Sequence, residues 1–223
     1  MSRLQSPPEP AERSLRRAFV RLDRRVTLAV ASLHAPKRDR LLRRISFLGS
    51  PRFLIPATFA AAGALLFGRR GILAAFLGGA VLGARGLSPL VKWIFRRRRP
   101  DLWPALETEN SHSFPSTHAA TATAFFGAAA VIVFHWTGNP VARSAALILC
   151  VTLAAAVAFS RVYLGAHWLS DVVAGVLIGL LWLAVWAAAT PRLFRDSGAR
   201  GRESSTLASP SSVSRHLPRL PSS

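Results

Sequence analysis

The stretch Ser160-Arg161-Val162-Tyr163-Leu164-Gly165-Ala166-His167-Trp168-Leu169-Ser170-Asp171 lies between two long uncharged runs. Its Arg161, His167 and Asp171 therefore fall where an apolar segment gives way to a polar one. His167 and Asp171 are four residues apart, so a helix begun by His167 would put them on one face. A carboxylate beside an imidazole fixes one ring nitrogen as a donor and frees the other to attack or to move a proton. Arg161 adds a planar fork of donors suited to phosphate or carboxylate oxygens.

Two further clusters could join it. Lys92-Trp93-Ile94-Phe95-Arg96-Arg97-Arg98-Arg99-Pro100 closes one apolar run; Arg96, Arg97 and Arg98 read as basic anchors at a helix end. Phe114-Pro115-Ser116-Thr117-His118 opens another. Ser116 is placed to cap that helix, whose first N–H groups favour an anion, and His118 stands in the first turn as a proton donor.

These clusters need elements to bring them together. The chain has 223 residues, 51% of them hydrophobic, and the apolar ones form long uncharged blocks, which points to an integral membrane protein. The net charge of +19 sits at block ends and in the tails. Anionic lipid headgroups and phosphate-bearing substrates are thus the expected partners, not nucleic acid. The single Cys150 cannot form an internal disulfide and reads as a core residue. The first residues lack the apolar region of a signal peptide, so insertion would use the membrane segments themselves.

Residues 1–12 and 192–223 read as disordered tails, the second basic and Ser/Pro-rich. Residues 13–49 read as basic amphipathic helices lying on the bilayer, with Phe19, Leu22, Val26 and Val30 on the apolar side. Residues 50–191 form the membrane domain, with blocks at Phe53–Gly68, Gly71–Phe95, Ala119–Trp136, Ser144–Ser160 and Val172–Thr190. The expected fold class is all-α, an integral membrane bundle of about five (up to six) transmembrane helices preceded by interfacial helices. In an up-and-down bundle the end of the second block, the start of the third, the end of the fourth and the start of the fifth share one membrane face. All three clusters then converge. Arg85, seven residues before Lys92, points to the same side at greater depth, where a charge inside a span marks a candidate site. It could meet a second anionic group of the substrate. Glu107, Glu109 and His112 edge the same region and receive no role.

Lys92 with Arg99-Pro100, then Pro115-Ser116-Thr117-His118, then Ser160-Arg161 with His167 and Asp171, resembles the three-part signature of the type 2 phosphatidic acid phosphatase family. Vanadium-dependent haloperoxidases and glucose-6-phosphatase belong to the same superfamily. The likeness covers about residues 50–190, with one departure: Thr117 stands where the motif usually has glycine, which narrows the approach to phosphate. The resemblance implies that His167 is a nucleophile forming a phosphohistidine, with Asp171 orienting it and His118 protonating the departing oxygen. It implies that Lys92, Arg99, Arg161, Ser116 and the backbone at Thr117 hold the phosphoryl oxygens, with no cofactor and no metal.

The implied activity is hydrolysis of a lipid phosphate or diphosphate: phosphatidic acid, phosphatidylglycerol phosphate or a polyprenyl diphosphate. The expected location is the cell (inner) membrane, multi-pass, with the site on the extracytoplasmic face; the oligomeric state is not assigned. A vanadate-bound haloperoxidase conflicts with five apolar spans. A non-catalytic lipid-binding or transport-associated protein conflicts with the complete set of site residues.

Overall fold

A computed structural model describes residues 10–102, 105–107 and 109–191, and all regular elements among them are helices. The tails expected over 1–9 and 192–223 lie outside the described residues. The helices are α1 (Pro10–Ala31), α2 (Pro36–Phe47), α3 (Pro51–Phe67), α4 (Gly71–Phe95), α5 (Thr117–Trp136), α6 (Pro140–Tyr163) and α7 (Leu169–Ala189). The five apolar blocks correspond to α3–α7. Residues 10–12, expected in the tail, instead open α1, because a proline is tolerated in a first helical turn. α6 begins four residues earlier than Ser144, since Asn139 caps it by accepting from Val141 N at 2.9 Å, with Pro140 next.

Each of α4, α5, α6 and α7 is long and apolar enough to cross a membrane. α3 alone, at 17 residues, is short. Joined to α2 across a 45° bend it makes a fifth candidate span.

α5 forms the centre, packed against α4, α6 and α7. Its buried residues include Ala119, Ala120, Ala122, Ala124 and Ala128, and such small side chains let neighbouring backbones approach closely. The approach is closest at α7. A Cβ placed on Gly175 would lie 2.5 Å from Ser116 O, and one on Gly179 would lie 2.6 Å from Ala120 O. These two glycines, one helical turn apart, hold the start of α7 against the start of α5. On the other side of α7, Trp182 and Trp186 lie against Gly83 and Gly79 of α4. Their indole N–H groups donate to Gly79 O and Phe76 O at 3.0 and 3.1 Å.

α1 and α2 dock through polar contacts. Asp23 of α1 is buried and accepts from Ser170 N at 2.9 Å and Ser170 Oγ at 2.6 Å, at the start of α7. Phe19 and Leu22 remain exposed, on the side expected to meet the bilayer. Tyr163 at the end of α6 donates to Asp39 Oδ1 of α2 at 2.6 Å.

Because the obstruction at Gly175 is backbone, Gly175→Ala must separate α5 from α7, at a cost of about 1–3 kcal/mol. We expect a lower thermal unfolding midpoint in detergent, while Gly78→Ala, with nothing near its Cβ, leaves the midpoint near that of wild type. Equal midpoints for the two variants would contradict this packing.

Candidate active site

The turn between α6 and α7 builds the core of the site. Gly165 takes φ 72°, the left-handed conformation that glycine reaches without steric cost, just past the end of α6. That reversal lets Arg161 O accept from Ala166 N and His167 N, both at 3.2 Å. Arg161 and His167 are thereby folded onto one turn. α7 starts at Leu169, after His167, so His167 and Asp171 do not share a helical face as the spacing suggested. They still meet: His167 Nδ1 lies 3.7 Å from Asp171 Oδ2 across the helix start. Arg161, His167 and Asp171 are all fully buried.

Asp171 is held from several sides. Oδ2 accepts from Trp168 N at 3.0 Å and from Ser113 Oγ, and Oδ1 accepts from Arg97 Nη1 at 2.6 Å. Arg97 also donates to Asp23 Oδ2 at 2.7 Å and Ser170 Oγ at 2.6 Å. The anchor reading of Arg97 is therefore wrong, because its guanidinium joins α1 and α7 through two carboxylates.

On the far side of the imidazole, His167 Nε2 lies 3.2 Å from Arg99 Nη1. At 3.7 Å Nδ1 makes no hydrogen bond among the described residues; in the tautomer with the proton on that nitrogen, beside the carboxylate, the Nε2 lone pair accepts from Arg99. Burial pushes the imidazole pKa down to about 4, Asp171 opposing and Arg99 and Arg161 adding to the shift. His167 is thus a neutral base at physiological pH.

Arg99 and Arg161 converge on one carboxylate. Glu109 Oε2 accepts from Arg99 Nη2 at 2.8 Å, and Oε1 accepts from Arg161 Nη2 at 2.5 Å. His118 Nδ1 lies 3.5 Å from the same Oε1. Burial raises the Glu109 pKa, but Arg161 and then Arg99 outweigh it and hold the group at about 2, so it is an anion and not an acid catalyst. Glu107 pairs with Arg161 Nη1 and accepts from Ser46 Oγ at 3.2 Å. Arg161 Nε, also buried, has no hydrogen-bond partner among the described residues.

The remaining expected residues divide. Lys92 is buried, but its Nζ donates to His112 O at 2.5 Å and not to the carboxylate, so it secures the loop before α5. Ser116 caps α5, accepting from Ala119 N at 3.4 Å, while its own N–H donates to Asp171 O at 2.9 Å. Thr117 and His118 begin the helix, and their N–H groups precede the first intrahelical acceptor. Gly49, at the junction of α2 and α3, lies beside the His118 ring.

Sequence reasoning passed over Asp23 and Ser113, read Arg97 as an anchor, and placed Glu107 and Glu109 at the edge of the region without a role. One signal was available: only 10 acidic residues face 29 basic ones, so a carboxylate in this chain is improbable unless it has a structural or chemical use.

Comparison with known proteins identifies the family. The family model described as the PAP2 superfamily matches residues 72–195. "Phosphatidylglycerophosphatase B" of Bacillus subtilis is 30% identical over 163 residues, covering 71% of this chain and 78% of that protein. "Decaprenylphosphoryl-5-phosphoribose phosphatase" of Mycobacterium tuberculosis is 39% identical over 100 residues, 43% of this chain and 49% of the other. The crystal structure of a transmembrane PAP2 type phosphatidylglycerolphosphate phosphatase from Bacillus subtilis matches with a TM-score of 0.71 at 26% identity, over 78% of this chain and 87% of that one. The chain belongs to the PAP2 superfamily and is an integral membrane protein.

Proposed function

We propose that this chain is a membrane-embedded phosphatase that hydrolyses a lipid phosphate or diphosphate through a phosphohistidine on His167, without a metal. One observation carries the reading. Arg99 and Arg161 both grip the Glu109 carboxylate, with His118 beside it and the His167 lone pair one hydrogen bond away through Arg99. A phosphoryl group has the charge and the acceptor oxygens to take the place of that carboxylate.

In the first step His167 Nε2 attacks phosphorus, forming the N–P bond as the P–O bond to the lipid breaks. The electron pair goes to the departing oxygen, which His118 protonates. Water then attacks phosphorus, giving up a proton to His118, and the N–P electron pair returns to Nε2 as inorganic phosphate leaves. Asp171 stabilises the positive imidazole in between and is itself kept in place by Arg97, Ser113 and Trp168 N. Such a transfer depends mainly on positioning and on charge neutralisation at the equatorial oxygens. Arg99, Arg161 and the free N–H groups at the start of α5 provide both. Lys92 and Ser116 act by holding the loop and the helix start in place.

Before any of this, Glu109 must leave. Its carboxylate competes with the substrate for both arginines, so entry of phosphate displaces an internal anion. The chain lies in the cell membrane in this reading, with the site on the extracytoplasmic face. An even run of four spans from α4 to α7 would leave the end of α7 on the side opposite the site. The Lys- and Arg-rich residues 13–52 stand on the site's side, and the preference of Lys and Arg for the cytoplasm pulls against the extracytoplasmic orientation, which rests on the family resemblance.

Phosphate release by the purified protein in detergent tests the reading, with phosphatidic acid, phosphatidylglycerol phosphate and a polyprenyl diphosphate as substrates. We expect turnover that survives EDTA and falls about a thousandfold or more in His167→Ala. Turnover lost in EDTA and restored by magnesium would contradict the metal-free account, and turnover retained in the variant would exclude His167 as nucleophile. Glu109→Gln keeps the shape and removes the competing charge. Inorganic phosphate should inhibit that variant about tenfold more tightly, the scale of one charge-assisted hydrogen bond; weaker inhibition would mean that Glu109 assembles the cradle and does not obstruct it.

A further inference from the structure

A cavity of about 620 Å³ opens beside His118, between α2, α3, α4 and the loop that carries Glu107 and Glu109. Three arginines from three different helices line it: Arg43 of α2, Arg52 of α3 and Arg85 of α4. None of the three has an ion pair or hydrogen bond among the described residues. The two carboxylates on the wall do not answer them, since Glu107 is taken by Arg161 and Ser46, and Glu109 by Arg99 and Arg161. Ser50 also lines the cavity, and its hydroxyl is buried without a hydrogen-bond partner among the described residues. Thr117, in place of the usual motif glycine, adds a hydroxyl to the same wall.

Position gives these groups their meaning. His118 protonates the departing oxygen, so the cavity on its side receives the leaving group. Arg85 lies inside a candidate span, where an unpaired cation is costly unless it faces water or an anion. A leaving group that ends in neutral diacylglycerol offers such a cation nothing. A leaving group that carries its own phosphate offers the cavity's arginines and hydroxyls an anion.

We propose that Arg43, Arg52 and Arg85 form a leaving-group subsite for a second phosphate, and that the preferred substrates are lipids whose leaving group is itself a phosphate anion. This rests on the proposed phosphatase chemistry at His167. Two substrate types share the required feature: a polyprenyl diphosphate, which departs as the lipid monophosphate, and phosphatidylglycerol phosphate, which departs with a phosphodiester beyond its glycerol. In either case His167 Nε2 takes the terminal phosphoryl group. The P–O electron pair stays on the leaving oxygen, where the proton from His118 also arrives, and the arginines balance the charge that the leaving group already bears.

The test compares kcat/KM for three substrates, a polyprenyl diphosphate, phosphatidylglycerol phosphate and phosphatidic acid, in wild type, Arg85→Gln and the exposed double variant Arg43→Gln/Arg52→Gln. Wild type should prefer at least one doubly anionic substrate over phosphatidic acid. The preference ratio should fall about tenfold in Arg85→Gln, the scale of one charge-assisted hydrogen bond, and fall also in the double variant. A ratio lost for the diphosphate alone assigns the subsite to a directly bridged phosphate, and one lost for phosphatidylglycerol phosphate alone assigns it to a phosphodiester farther out. Equal loss for all three substrates would overturn the subsite and leave the arginines as general attractors of anionic lipid. An unchanged ratio would overturn it as well. In both of those outcomes the phosphatase reading survives, whereas release from no substrate by folded wild type defeats the reading and the subsite together. The double variant keeps the test decisive should Arg85→Gln not fold.

Discussion

The structure depends on placing several cations together where water is scarce. Arg97, Arg99, Arg161 and Lys92 gather at one end of a helical bundle, and Arg161 is fully buried. Gathered charges of one sign repel, and each loses hydration, so the cluster holds only if anions stand between its members. Asp171 and Glu109 are those anions, with Asp23 and Glu107 at the edges. The loop before α5 and the helix α1 are both held by this requirement. The loop brings carboxylates to Arg99 and Arg161, which the spans alone would leave unpaired, and α1 brings Asp23 to Arg97 as a second carboxylate beside Asp171.

The same constraint links fold to chemistry. Arg97 fixes Asp171, Asp171 faces one nitrogen of His167, and Arg99 covers the other. Burial leaves the imidazole neutral down to about pH 4, the state in which a nitrogen lone pair can attack. The packing of α7 against α5 through Gly175 and Gly179 sets where Asp171 and Ser116 meet. A contact between apolar helices therefore controls the site's geometry from outside it.

Much of this was legible in the chain. Uncharged blocks located the spans, and alternation of direction brought Lys92, Ser116, Arg161 and His167 to one end, because a spanning helix can only enter on one face and leave on the other. The motif spacing led to the family. What was missed shares one physical cause: pairing between residues distant in sequence has no periodicity. Asp23 and Arg97 are 74 residues apart, and Ser46 and Arg161 are 115 apart. Nothing local marks either as a partner. Arg97 looked like an anchor because its neighbours are arginines, and only the folded turn at Trp168 shows which one reaches Asp171. Glu107 and Glu109 were visible but unassigned, since a loop gives no face on which to place them. The contact between His167 and Asp171 was anticipated for the wrong reason, as it spans a helix start and not a helical face.

The central claim is that phosphorus becomes bonded to His167. Mixing the protein with substrate labelled in its terminal phosphate and quenching within one turnover tests it directly. The account requires a protein-bound label at His167 that is stable in alkali, is released in acid and is absent from His167→Gln. Phosphate released in a full single turnover with no bound label at any time, or a label that persists in the variant, would contradict it.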